Sequence, residues 1–190
     1  MNKRSLLILG AGVYQLPLIV KAKELGIRTI VVSPFGSYPG ISLADEHWNF
    51  DTKDKYKIIK EASKVELYGA ITTGTDVCLP TLGYLVDKLN LFGPSLSSTY
   101  NCTNKKLMKL KLKEYGILTA PFEIVTSFDE ALDVSEKMGY PIIVKAIDSS
   151  GSRGITVVKN TQSLTYAWSN AKSITNSNDV LLEKYLDGIE

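Results

Sequence analysis

The sequence has a single histidine, His47, and only two cysteines, Cys78 and Cys102. One imidazole removes most histidine-based catalysis and most zinc sites, which gather several nitrogen or sulfur ligands. Two cysteines cannot build a disulfide framework, and neither has neighbours at metal-ligand spacing, so a reduced, cytoplasmic setting fits best. Excess charge of either sign is also lacking, the formal net charge being +2. Nucleic acid usually demands a concentrated basic stripe and is not an expected partner. No apolar run is long enough to cross a bilayer. The run from Leu6 to Leu9 is too short for a signal peptide and leads straight into a glycine turn.

What is present is the balance of a globular protein, with 44% hydrophobic and 22% charged residues in 190. That length suits two small units. Leu6 to Leu9, closed by Gly10-Ala11-Gly12, reads as a buried parallel strand ending in a tight turn. Leu16 to Leu25 has helical spacing and stops at Gly26. Thr29 to Val32 is a second buried strand, so the start is a βαβ unit with parallel strands and a right-handed crossover. A helix from Lys53 to Lys64 capped by Thr52, a strand from Ala70 to Thr73 and a helix from Leu79 to Leu89 with Pro80 in its first turn continue the pattern.

After Ser95 the pattern changes. A helix is expected from Asn104 to Tyr115, and strands over Phe122 to Val125, Pro141 to Lys145, Ile155 to Val158 and Val180 to Tyr185. Ser127 and Glu130 have capping-box spacing at the start of one helix, and another follows Thr161. The fold class expected is α/β: a Rossmann-like parallel-sheet domain over residues 1–98, then an α+β unit over residues 99–190. The lysine-dense stretch from Lys105 to Lys113 reads mainly as an amphipathic helix with a solvated basic face.

Two glycine loops carry candidate chemistry. Gly10-Ala11-Gly12 begins a dinucleotide fingerprint, but Gln15 stands where the third glycine belongs, and the second strand ends in Val32-Ser33-Pro34 instead of an acidic residue. A nicotinamide-dependent oxidoreductase is therefore an alternative ranked below the leading one. Gly12, Gln15, Thr75 and Asp76, at strand ends, are candidates for a small-substrate crevice, while a plain chain-reversing turn explains the glycines equally well. The second loop, Ser149 to Gly154, lies between two strands, just after Lys145. Small residues there let backbone N–H groups approach phosphate, and Lys145 adds a point charge. An ordinary hairpin would explain the loop alone. A lysine on an oily strand needs a partner, however, and a polyanion would supply one. No Gly-Lys-Ser/Thr opens a helix, which disfavours a P-loop ATPase. Glu183, in the last apolar run, is suited to accept a hydrogen bond from an exocyclic amine.

These residues resemble a known family. Asn104-Lys105-Lys106-Leu107-Met108, leading to Glu114-Tyr115-Gly116-Ile117, is similar to the Asp-Lys-x-x-Met … Gly-Ile helix of ATP-grasp enzymes. Tyr140 to Lys145, the loop from Ser149 to Gly154, and Glu183 to Glu190 resemble the next three motifs in the same order. The opening βαβ region resembles the pre-ATP-grasp domain. The resemblance implies that Lys105 and Lys145 contact the phosphates of ATP while Ser150, Gly151, Ser152, Arg153 and Gly154 fold over them. It also implies that Glu183 meets the adenine amino group, that the backbones of Lys184 and Leu186 complete adenine recognition, and that Glu190 holds the ribose hydroxyls. Asn104 departs from the family's aspartate.

The resemblance further implies an ATP-dependent carboxylate–amine or carbamate-forming ligase, working through an acyl phosphate on small-molecule carboxylate and amine substrates. No catalytic residue is assigned. The magnesium ligands are expected beyond Glu190, so this stretch reads as an incomplete fragment, inactive alone. Carbamoyl-phosphate-synthase-like and phosphoribosylglycinamide-synthetase-like chains are the nearest in pattern, with biotin carboxylases and carboxyaminoimidazole synthases more distant. A third reading is a non-catalytic nucleotide-binding module. Acceptor substrate, pathway and oligomeric state are not legible.

Overall fold

The computed structural model describes residues 5–188, which fall into two compact units divided between Tyr100 and Asn101. The first contains β1 (Ser5–Leu9), α1 (Leu16–Glu24), β2 (Arg28–Ser33), β3 (Glu46–Asn49), α2 (Lys55–Ala62), β4 (Leu67–Ile71), α3 (Leu79–Leu89) and the start of α4 (Leu96–Thr103). Its strands pair in parallel in the order β3-β2-β1-β4. Leu7, Leu9, Ile30 and Val32 pack against Ile58 of α2 and Leu82 and Leu85 of α3, whereas Ile8 and Val31 pack against Ile19 of α1. Helices on both faces are why these strands read as unbroken apolar runs.

Several local expectations are corrected. β3 was not anticipated, because Glu46-His47-Trp48-Asn49 has no apolar alternation. It is an edge strand, joined to β2 on one side and tied there by the Arg28–Glu46 ion pair. The cap of α2 is Asp54, whose carboxylate accepts the Lys57 N–H at 3.1 Å, and not Thr52. β4 lies earlier than Ala70 to Thr73. α4 was also missed. It approaches α3 at Gly83, where a Cβ would stand 2.4 Å from Thr99 Oγ1 and 2.7 Å from Leu96 Cα. The Asp87 carboxylate accepts the Leu96 N–H at 3.0 Å. The chain's division, like the expected boundary after Ser98, falls within α4.

The second unit contains α5 (Lys105–Glu114), β5 (Phe122–Val125), α6 (Phe128–Met138), β6 (Ile142–Ala146), β7 (Ile155–Val158), α7 (Thr161–Ile174) and β8 (Val180–Lys184). The sheet is antiparallel in the order β5-β8-β6-β7. α6 and α7 cover one face, packing Ala131, Leu164, Ala167 and Ala171 on Val125, Ile142, Val144, Val158, Val180 and Leu182. Ser127 caps α6 by accepting the Glu130 N–H at 3.2 Å, while Glu130 reaches back to the Thr126 N–H at 2.7 Å, one residue before the capping-box target. A parallel sheet and a separate antiparallel sheet, each backed by helices, give the mixed α/β architecture expected.

Candidate functional site

The site grows from strand alternation. Ile142, Val144 and Ala146 of β6 point into the α6/α7 core, so Ile143 and Lys145 point to the opposite face. Ile143 is registered opposite Glu183 of β8 and opposite Val157 of β7, which puts Glu183 and Val157 on that same face. β8 is the second strand in, between β5 and β6, and Glu183 is accordingly only 6% exposed.

An acid that deep needs partners, and among the described residues Glu183 has two. Its Oε1 takes the Lys109 ammonium and its Oε2 takes the Lys145 ammonium. Burial pushes the Glu183 carboxyl up, but the hydrogen bonds from Lys109 and then Lys145 outweigh it and hold the group below the usual carboxylate range. Lys145 thus has its counter-charge in Glu183, and both oxygens of Glu183 are engaged.

Lys109 is the exception to the mainly solvated basic face expected over Lys105 to Lys113: it is buried, while Leu107 and Leu110 of the same helix are exposed. The Lys109 ammonium also donates to Thr119 Oγ1 and sits 5.7 Å from the centre of the Phe122 ring. Sequence reasoning missed it as an individual. The available signal was its place one turn after Lys105, on a helix preceding a strand whose mate carries an acid.

Lys105, at the start of α5, donates through its ammonium to the Ser149 carbonyl at 2.5 Å and through its backbone N–H to Ile147 at 2.8 Å. The helix is capped by Asn104, which accepts the Leu107 N–H at 3.0 Å. Lys105 thus touches the beginning of the small-residue loop. Within it, Ser149 Oγ donates to the Arg153 carbonyl at 2.7 Å, and Arg153 Nε donates to the Ser150 carbonyl at 3.2 Å. Gly151, Ser152 and Arg153 are exposed and Gly154 is buried. Gly154 has φ +66°, and a Cβ there would stand 2.8 Å from the Ala146 Cβ. Only glycine fits that junction of loop and sheet.

At the other end, the Lys184 N–H donates to the Pro121 carbonyl at 2.8 Å and the Tyr185 N–H to the Pro141 carbonyl at 3.2 Å. Prolines have no N–H to return, so at neither position does the ladder supply a donor to the carbonyl of Lys184 or Tyr185. The Lys184 ammonium is used elsewhere, on the carbonyls of Met138, Gly139 and Tyr140 at 3.3, 2.9 and 3.5 Å, closing the end of α6. Alongside lies an open cavity of about 840 Å³ lined by Tyr140, Pro141, Val157, Lys159, Tyr185 and Asp187. Its size is that of a small-molecule site. Leu186 is exposed, and Glu190 lies outside the described residues.

In the first unit, Gln15 is buried. Its Oε1 accepts the Gly12 N–H at 3.0 Å and its amide nitrogen donates to the Thr73 carbonyl. Gln15 therefore staples the glycine turn to the chain following β4, which accounts for a glutamine at that place. Thr75 is half-buried and Asp76 exposed. Cys78 and Cys102 are both free thiols, and burial pushes the Cys78 thiol up. Among the described residues, no helix is long and apolar enough to cross a membrane, and no three His, Cys, Asp or Glu side chains gather as a metal site.

The Lys145–Glu183 pair thus lies on the sheet face opposite α6 and α7, with the glycine loop at one end and the proline-spared carbonyls at the other. Residues 104–190 match the family described as carbamoyl-phosphate synthase L chain, ATP binding domain. A formate-dependent phosphoribosylglycinamide formyltransferase of Prochlorococcus marinus is 27% identical over 97% of this chain and 48% of its own. The crystal structure of phosphoribosylglycinamide synthetase from Anaerococcus prevotii is 31% identical, with a TM-score of 0.73, over 98% of this chain and 47% of that one. N5-carboxyaminoimidazole synthetase from Staphylococcus aureus, complexed with ADP, shares the fold with a TM-score of 0.82 at 20% identity, over 97% of this chain and 48% of that one. The chain spans about half the length of the curated relatives it matches.

Proposed function

We propose that this chain carries the nucleotide-binding part of an ATP-dependent carboxylate–amine ligase. Lys105 and Lys145 would meet the phosphates, the loop from Ser150 to Gly154 would lie over them, and Glu183 with the backbones of Lys184 and Leu186 would read the adenine. The observation that carries this reading is the Lys145–Glu183 pair on the sheet face opposite α6 and α7, beside carbonyls that Pro121 and Pro141 leave without a ladder donor. ATP, when bound, supplies the phosphoryl group that turns a carboxylate into an acyl phosphate for attack by an amine. The chain's own part is to bind and orient it, through fixed dipoles and cations. Magnesium is assigned no ligands among the described residues.

The first unit would serve as the pre-ATP-grasp domain, over residues 1–98 in our assignment. Thr75 and Asp76 would face a small substrate, beside the turn that Gln15 secures at Gly12. Substrates would be a small carboxylate and an amine, in a cytoplasmic setting that suits two free thiols. Calorimetric titration of the protein with ATP and, separately, with NAD tests the reading. Binding of ATP and not NAD is expected. Binding of NAD without ATP would transfer the assignment to the glycine turn after β1 and to an oxidoreductase.

A further inference from the structure

This inference rests on the nucleotide reading above and concerns Lys109. The two lysines on Glu183 are not equivalent. The Lys145 side chain is 21% exposed and the Lys109 side chain 7%. Lys145 can turn toward another anion without leaving water far behind. Lys109 is enclosed by Glu183, Thr119 and the Phe122 ring. Moving that ammonium away from Glu183, its acid partner among the described residues, would strand a buried charge.

Packing alone does not call for a lysine here. Leu107 and Leu110 of the same helix are left exposed, and a buried ion pair is often matched or bettered in stability by apolar side chains of similar volume. The lysine is better explained by what it does to Glu183. If Lys145 engages phosphate, one Glu183 oxygen is released, and Lys109 is then the cation left to offset the burial of the acid. An ionised carboxylate is acceptor-only. It can take a hydrogen bond from an exocyclic amine, whereas against a ring carbonyl it would set two acceptors face to face and leave both unpaired.

We propose that Lys109 is a positioning residue that holds Glu183 as an acceptor-only carboxylate, so that the site selects purine nucleotides bearing a 6-amino group over those bearing a 6-oxo group. Lys109 acts through Glu183 and touches no nucleotide itself.

The test compares the dissociation constants of ATP and ITP, which differ at that position, for the unaltered protein, Lys109→Met and Lys109→Arg, with circular dichroism as a check on folding. The unaltered protein should favour ATP by at least about tenfold. Lys109→Met should lose most of that preference while still binding both nucleotides through their phosphates, and Lys109→Arg should keep it. A general structural defect would weaken both nucleotides alike and leave the ratio unmoved. If Lys109→Met is unfolded, Lys109→Gln, which removes the charge but keeps a hydrogen-bond donor, is read by the same ratio. A folded, uncharged variant that discriminates within about twofold of the parent overturns the role of Lys109 and leaves the nucleotide reading standing. Failure of the unaltered protein to bind either nucleotide overturns the nucleotide reading itself.

Discussion

Pro121 stands opposite Lys184 in the pairing of β5 with β8, accepting its N–H at 2.8 Å and returning none. An interior strand thereby keeps a carbonyl that its ladder does not use, next to the buried Glu183. Replacing Pro121 with alanine would restore the missing donor. Pro121→Ala should weaken ATP binding several-fold while changing stability by less than about 1 kcal/mol, since the new hydrogen bond and the looser unfolded chain nearly offset one another. Titration and urea unfolding of the same sample check both halves, and unchanged affinity would remove the Lys184 carbonyl from the proposed adenine contacts.

Lys145→Ala should raise the dissociation constant for ATP at least about tenfold, the loss of one charge-assisted contact. The fold should hold, because Glu183 keeps Lys109 and the Lys145 side chain is only partly buried. A thermal melt near the parent's, together with weakened binding, is the expected pair of results.

Glu183 makes stability depend on pH. Its carboxyl lies below the usual range in the folded protein, so its contribution is fully present above the unfolded value of about 4.3 and is lost as pH falls through the depressed folded value. Glu183→Gln should flatten that part of the acid limb in urea unfolding. At neutral pH it should destabilise by about 3 kcal/mol, since it leaves Lys109 buried without its counter-charge. An unchanged acid limb would mean that the ion pairs on Glu183 do not form in solution.

Gly154→Ala should destabilise the second unit by about 1–3 kcal/mol, through the left-handed backbone and the crowding against Ala146. Gly151, at φ +64° with nothing within 4 Å of an added Cβ, should cost less when replaced by alanine. The two melting temperatures, compared side by side, check the order.

Much of this architecture is written in local pattern. Continuous apolar runs such as Leu6 to Leu9 specify strands buried on both faces, Gly26 and Ser127 mark helix ends, and the alternation in Ile142-Ile143-Val144-Lys145 already says that Lys145 faces away from the helices. These signals survive reading from sequence alone because burial and backbone geometry act over a few residues. β3 and α4 escaped it because an edge strand needs only one partner and a short polar helix needs only its contact with Gly83. What tertiary structure decided was pairing. That Glu183 meets Lys109 across 74 positions of chain, and not water or a distant anion, follows from α5 reaching the same sheet face as β8. Charges in an oily environment are stable only with a partner close by, and the partner's identity is a matter of which elements the fold brings together.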